Sequence, residues 1–325
     1  SYGRSTYENP DDPVLAQGDQ LVPVEKTTDD ARHLSLAFDF LQDYEIKESQ
    51  FTTVTLELTH DRFDPFYRTL GAFLNSDTEL NQGTLFTQIG DFANAQLLYG
   101  ESEDNLDDIA TVLKTKTKRG SANIGIPLRA WFGDPEEEGS FWPTFNYAFE
   151  RVHQFAKNSP DEDQSGFNNT SHLPDQVSLL HDAEVQWFFE RFDIGYRFSF
   201  SDQDNRQIGR ENADFRNYGH TALLGLRLLE GLSIGLDLGR ERNDDIEANN
   251  RGYTDRGGID LVWQFLEHWA FNGSYALSRV HDNNDNGDDR DFAAFAQLSR
   301  NFELPFGENR LPGQIFVSYS QTELD

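Results

Sequence analysis

Carboxylates and amides at alternate positions are the residues in this chain best suited to chemistry. They occur in the run Asp282-Asn283-Asn284-Asp285-Asn286-Gly287-Asp288-Asp289. Oxygen ligands at Asp282, Asn284, Asn286 and Asp288 follow the first half of a calcium-binding loop, in which a glycine permits the sharp bend around the ion. The bidentate glutamate expected at the twelfth place is Ala293. Any Ca2+ held here is therefore weakly bound, and the alternative is a solvated loop. Catalytic constellations are poorer. His181 and Asp182 are neighbours, but in a strand neighbours point to opposite faces and do not form a dyad. No phosphate-binding loop, zinc-protease motif or dinucleotide fingerprint is present. A hydrolase is the least favoured reading, and no other cofactor is implied.

The one basic cluster is Lys114, Lys116, Lys118 and Arg119. It reads as a solvated strand face, or as a contact for anionic lipid or glycan. Nucleic acid is not an expected partner, because 57 acidic residues stand against 27 basic ones and give a formal charge of −30. Cysteine and methionine are both absent, which removes disulfides, thiolate metal sites and a cysteine nucleophile.

The elements that must position these residues are strands. Ala222, Leu224, Leu226 and Leu228 recur at every second place, and after Leu229-Glu230-Gly231 so do Leu232, Ile234, Leu236 and Leu238. With Leu228 facing Leu232, the turn has three residues and Gly231 takes the left-handed position. The same unit repeats. Ala183, Val185, Trp187 and Phe189 turn into Phe192, Ile194, Tyr196 and Phe198; Ile259, Leu261, Trp263 and Phe265 turn into Trp269, Phe271, Tyr275 and Leu277. Phe292 to Leu298 then leads to Ile315, Val317 and Tyr319.

Earlier candidates begin at Leu34, Val54, Ile109, Ala122 and Phe141, with Pro127 marking an edge or a bulge, and the register between Phe63 and Tyr99 is unclear. Residues 1–31 read as a polar linker or N-terminal arm and 32–325 as one β domain. The strand ending near Ser320 runs away from the short turns, so a returning strand is missing. The processed-looking start fits the C-terminal part of a larger protein, and the end fits a truncation.

Opposite the apolar stripe lie Asn146, Glu184, Arg197, Arg227, Asp237, Asp260 and Asn272, a mixture suited to a hydrated lumen. Trp187, Trp263 and Trp269 sit beside short connections, as interface-seeking indoles would. Long polar loops at 201–214, 240–256 and 279–290 alternate with short turns.

Together these features resemble the outer-membrane β-barrel proteins of Gram-negative bacteria over residues 33–322. The resemblance implies an all-β, transmembrane, antiparallel up-and-down barrel of about 14 strands (12–16), with short periplasmic turns and long extracellular loops. It further implies location in the outer membrane and a lipid partner. The expected function is a passage for solutes or for an exported polymer or protein. The alternative is an anchor for a larger surface or periplasmic assembly, whose periplasmic domains or other subunits would be its partners.

Overall fold

The computed structural model describes residues 1–7, 27–47, 50–65, 67, 77–133, 141–160, 172–283, 288–306 and 309–324. Strands β1 (Tyr2–Tyr7), β2 (Thr27–Lys47), β3 (Gln50–Phe63), β4 (Thr78–Ile89), β5 (Ala93–Asp104) and β6 (Thr115–Pro127) precede a short helix α1 (Leu128–Phe132). After it come β7 (Thr144–Ala156), β8 (Asp175–Phe188), β9 (Phe192–Asn205), β10 (Phe215–Leu229) and β11 (Leu232–Asp245). The last four are β12 (Asn250–Leu266), β13 (Trp269–Asp282), β14 (Asp288–Phe306) and β15 (Asn309–Leu324). All fifteen form one sheet in which each strand pairs antiparallel with its sequence neighbours. This is the up-and-down, barrel-type sheet expected from the alternation. No helix among the described residues is long and apolar enough to cross a membrane.

The β10–β11 hairpin shows why the alternation fixes the register. Ala222 faces Leu238, Leu224 faces Leu236 and Leu226 faces Ile234, so one face of the pair is apolar over this stretch. A slip by one residue would bring every leucine to the wrong side. The closing turn is tighter than expected. Leu229 rather than Leu228 meets Leu232, and the ladder shifts between Arg227 and Leu229. Gly231 has φ +78, and a Cβ on it would lie 2.6 Å from the Gln264 carbonyl oxygen. Glycine is therefore required both by the backbone conformation and by the neighbouring strand.

Several boundaries differ from the sequence reading. The stretch 1–31, expected as a polar arm, contains β1 and the start of β2, paired from Tyr2–Arg32 to Tyr7–Thr27. Polar strands of this kind carry no apolar alternation to betray them. The supposed loops 201–214, 240–256 and 279–290 are strand in part: 240–256 is strand except for 246–249, 201–214 is strand as far as Asn205, and 279–290 holds the end of β13 and the start of β14. Their charged residues pair across the ladder, as Arg240 does with Asp255 at 2.6 Å and Arg251 with Asp244 at 2.8 Å. Conversely, the connection 128–143, on the short-turn side, is long and carries α1. Pro127 ends β6 and caps α1; it marks neither an edge nor a bulge, because β6 is flanked by β5 and β7.

Residues 109–114, read as the start of a strand, belong instead to a loop, 105–114, built around Asn105, which is 1% exposed. Its side-chain nitrogen donates to the carbonyls of Ile109 at 3.0 Å and Val112 at 2.9 Å, while its oxygen accepts from the Ile109 amide at 2.9 Å. Such side-chain bonds replace ladder bonds and hold the backbone out of the strand. The loop is closed by Lys114, which donates to Asp108 at 2.7 Å. That contact raises the Lys114 ammonium above its ordinary value and lowers the Asp108 carboxyl below its own.

Candidate lumen face and membrane belt

Cross-strand pairing sorts the side chains onto two faces. On one, Trp187 faces Ile194, Val185 faces Tyr196, Ile194 faces Leu224 and Leu236 faces Ile259, and so on through Tyr275 and Leu298 to Val317. Many of these are well exposed, including Leu238 at 67% and Val317 at 73%. Buried apolar side chains are few among the described residues: Ala31, Val177, Ala213 and Pro160. A soluble sandwich buries its apolar face against a second sheet; here all described strands belong to one sheet and the apolar face is left exposed.

The aromatic residues divide into two rows on that face. Near the short turns stand Trp187, Trp263 and Trp269, with Phe265 5.0 Å from Trp263 and Arg300 5.3 Å above the ring of Trp269. Trp131 belongs to a separate cluster at this end, where its indole donates to the Phe92 carbonyl at 2.8 Å. The second row lies towards the other end and was not recognised in the sequence. It comprises Tyr147 bonded to His181 at 2.7 Å, Tyr196 bonded to His220 at 2.6 Å, Tyr218 beneath Arg242 at 4.2 Å, and Tyr253 stacked on His281 at 5.3 Å. The signal was available: each of these tyrosines keeps the parity of the apolar stripe.

The other face is mainly polar, although Leu180, Leu223, Phe295 and Phe316 also lie on it. The ladder places Asn146 opposite Glu184 and Glu184 opposite Arg197, and puts Asp260 opposite Gly235, Asp237 opposite Gly258, Asn272 opposite Gln297 and Arg227 opposite Ser233. All seven residues assigned to a lumen from their parity thus share the face opposite the leucines. Their partners, however, are not visible in the sequence. Arg197 binds Asp182 through Nε at 2.8 Å and Nη2 at 2.5 Å, whereas Glu184 accepts from Gln186 at 2.6 Å. Arg227 reaches Asp193 at 3.2 Å and the Phe189 carbonyl at 3.0 Å. Asp193 lies over Gly225 and Asp237 over Gly258, in positions that a Cβ would fill. Between Arg197 and Arg256, Gly219, Thr221 and Gly239 help to line an open cleft of about 180 Å3, with Glu241 3.3 Å from Arg256. Ions of both signs line this face, and small residues keep it low.

Of the expected calcium ligands, Asp282 ends β13, Asn284 and Asn286 lie outside the described residues, and only the backbone of Asp288 is described, at the start of β14. Among the described residues no group of three or more His, Asp or Glu is arranged to hold a metal. His181 and Asp182 point to opposite faces, His181 to Tyr147 and Asp182 to Arg197.

No family model matches the chain, and neither does any curated protein. Among solved structures it is similar to OmpTdeltaL8, a loop L8 deletion mutant of OmpT, an outer membrane protein of Vibrio cholerae. The identity is 9% and the TM-score 0.36, with 91% of this chain and 93% of that chain covered. It is also similar to OccAB4 of Acinetobacter baumannii, at 11% identity and a TM-score of 0.27, with 99% of this chain and 96% of that chain covered.

Proposed function

We propose that this chain is an outer-membrane β-barrel whose polar face lines a hydrated passage for solutes or for an exported polymer. One relationship carries the membrane reading. Trp263 and Tyr253 lie on the same face of the same strand, ten residues apart, at the two aromatic rows. At about 3.3 Å per residue that is roughly 33 Å along the strand, and a tilt of about 35–45° reduces it to about 25 Å of height. The apolar band of an outer-membrane barrel has about that height and is flanked by aromatic girdles in the same way. The apolar face then meets lipid, and the row of Arg, Asp, Glu and Asn meets water.

The passage reading is supported by the composition of the polar face, where ion pairs and glycine notches outnumber apolar side chains such as Leu223 and Phe295. An anchor for a larger assembly needs the same lipid-facing surface but no continuous water. Purified protein in planar bilayers separates the two. Stable ion conductance is the expected result, and a sealed barrel that folds in detergent yet conducts nothing would favour the anchor.

A further inference from the structure

Two sheet edges carry unpaired backbone. β1 covers β2 only from Thr27 to Arg32, with Ser1 bonded to His33 just beyond, so among the described residues no strand lies beside the edge of β2 from Leu34 to Phe40. At the far side of the sheet, β15 pairs with β14 alone along its whole length. A twisted sheet much wider than about ten strands curls. Inside a bilayer, exposed backbone donors and acceptors are not tolerated, so these edges must be covered.

We infer that β2 and β15 pair with each other, closing a barrel of fourteen strands that leaves β1 outside the count. Direction permits it: β2 and β15 run antiparallel, whereas β1 and β15 run the same way. Length permits it too, since β1 has six residues and β15 has sixteen. The decisive point is stagger. Partner by partner, the ladder leads from Thr53 on β3 through Gln88, Asn94, Gly125, Asn146, Glu184, Arg197, Thr221, Gly239, Arg256, Ser278 and Asp291 to Leu324. It starts near the short-turn end of β3 and finishes on the last residue of β15. The strands are therefore sheared, as closure of a tilted barrel demands.

Fourteen strands tilted by about 35° or more need a stagger of about 14 residues or slightly more. Stepping back about 14 residues from Leu324 gives Arg310 as the β15 residue level with Thr53. Leu36 pairs with Leu58, five residues above Thr53, and so meets Ile315. An even stagger keeps the faces in phase. Leu34, Leu36 and Phe38 then join Ile315 and Val317 on the lipid side, while Ser35 and Ala37 join Phe316 and Gln314 on the other. The last residues of β15 reach Thr27–Arg32, where they contend with β1 for the same edge.

The chain has no cysteine, so introduced pairs report directly. Leu36→Cys with Ile315→Cys, or Leu34→Cys with Ile315→Cys for a stagger two residues larger, should give an intramolecular disulfide in most chains, seen as faster migration on a non-reducing gel. Ser35→Cys with Ile315→Cys lies on opposite faces and should not cross-link, nor should Arg4→Cys with Ser320→Cys between β1 and β15. Disulfides between two chains, a β1–β15 cross-link, or no cross-link in either same-face pair would overturn the seam. The unmodified protein gives an independent measure. Amides of Ser35, Ala37 and Gln314 to Ser320 should exchange as slowly as those of Ile234 to Leu238, and fast exchange at both edges rejects the pairing. The seam is deduced with the membrane reading in place, but the two fail separately. Solubility without detergent refutes the membrane, whereas the cross-links test only the pairing.

Discussion

Arg197 grips Asp182, one ladder step diagonal to it, and not Glu184, which stands directly opposite. The bidentate contact holds a guanidinium that is 56% exposed on the polar face, so the pair contributes little stability, under about 1 kcal/mol. In the proposed passage its effect is on the field that a passing ion meets. Asp182→Asn should lower cation preference by leaving Arg197 uncompensated, and Arg197→Gln should raise it. The reversal potential in a salt gradient measures both, and unchanged selectivity in both variants would place the pair away from the ion path.

The lipid-facing parity is open to a stability test. Leu226→Arg or Leu236→Arg puts a charge on the apolar face and should cost about 2–4 kcal/mol if the site lies near the midplane. Arg227→Leu and Ser233→Arg act on the polar face and should cost less. Urea unfolding of the protein in lipid vesicles measures the difference, and equal costs on both faces would reject the assignment.

Gly231→Ala should destabilise the β10–β11 turn by about 1–2 kcal/mol, because its φ of +78 disfavours a side chain and the Gln264 carbonyl oxygen stands 2.6 Å from the added carbon. Gly235→Ala provides the comparison. Its nearest neighbour is Asp260 Cβ at 3.7 Å, an ordinary contact, so the cost there should be smaller. The same urea series in vesicles reads both variants.

Asn105→Ala should unfold the loop 105–114 without opening the sheet. It leaves the carbonyls of Ile109 and Val112 and the amide of Ile109 without their partner, at a local cost of about 1–3 kcal/mol. Hydrogen exchange should rise in that loop and stay unchanged in β5 and β6.

The Lys114–Asp108 contact sets the pH range over which the same loop holds. The folded carboxyl lies below its ordinary value of 3.8, so its contribution is complete above that value and is lost as pH falls through the lower, folded one. The ammonium lies above its ordinary 10.5, so its contribution is complete below that and is lost as pH rises through the higher, folded one. The side-chain amide resonance of Asn105 should therefore be constant from about pH 5 to about pH 9 and change at acid extremes. An Asp108→Asn variant should lose the acid transition.

Alternation determined most of the fold in advance. From Phe192 onward most leucines, isoleucines and aromatics fall at every second place, with Leu223, Phe295 and Phe316 among the exceptions, and a strand has no other way to put them on one face. The same parity sufficed to place Asn146, Glu184, Arg197, Arg227, Asp237, Asp260 and Asn272 together opposite them. Where the lipid-facing positions are Thr87, Ala95, Gly83 and Tyr99, the contrast between faces fades, and β4 and β5 could not be phased from sequence. β1 offered still less, being polar on both sides. The ends of the strands were also hidden, because Asp, Asn and Arg read as loop residues until the ladder brings Arg240 to Asp255. Tertiary structure alone decided which carboxylate each arginine takes and how far each strand is staggered from the last. Those depend on distances between residues remote in the chain, which a period of two does not encode.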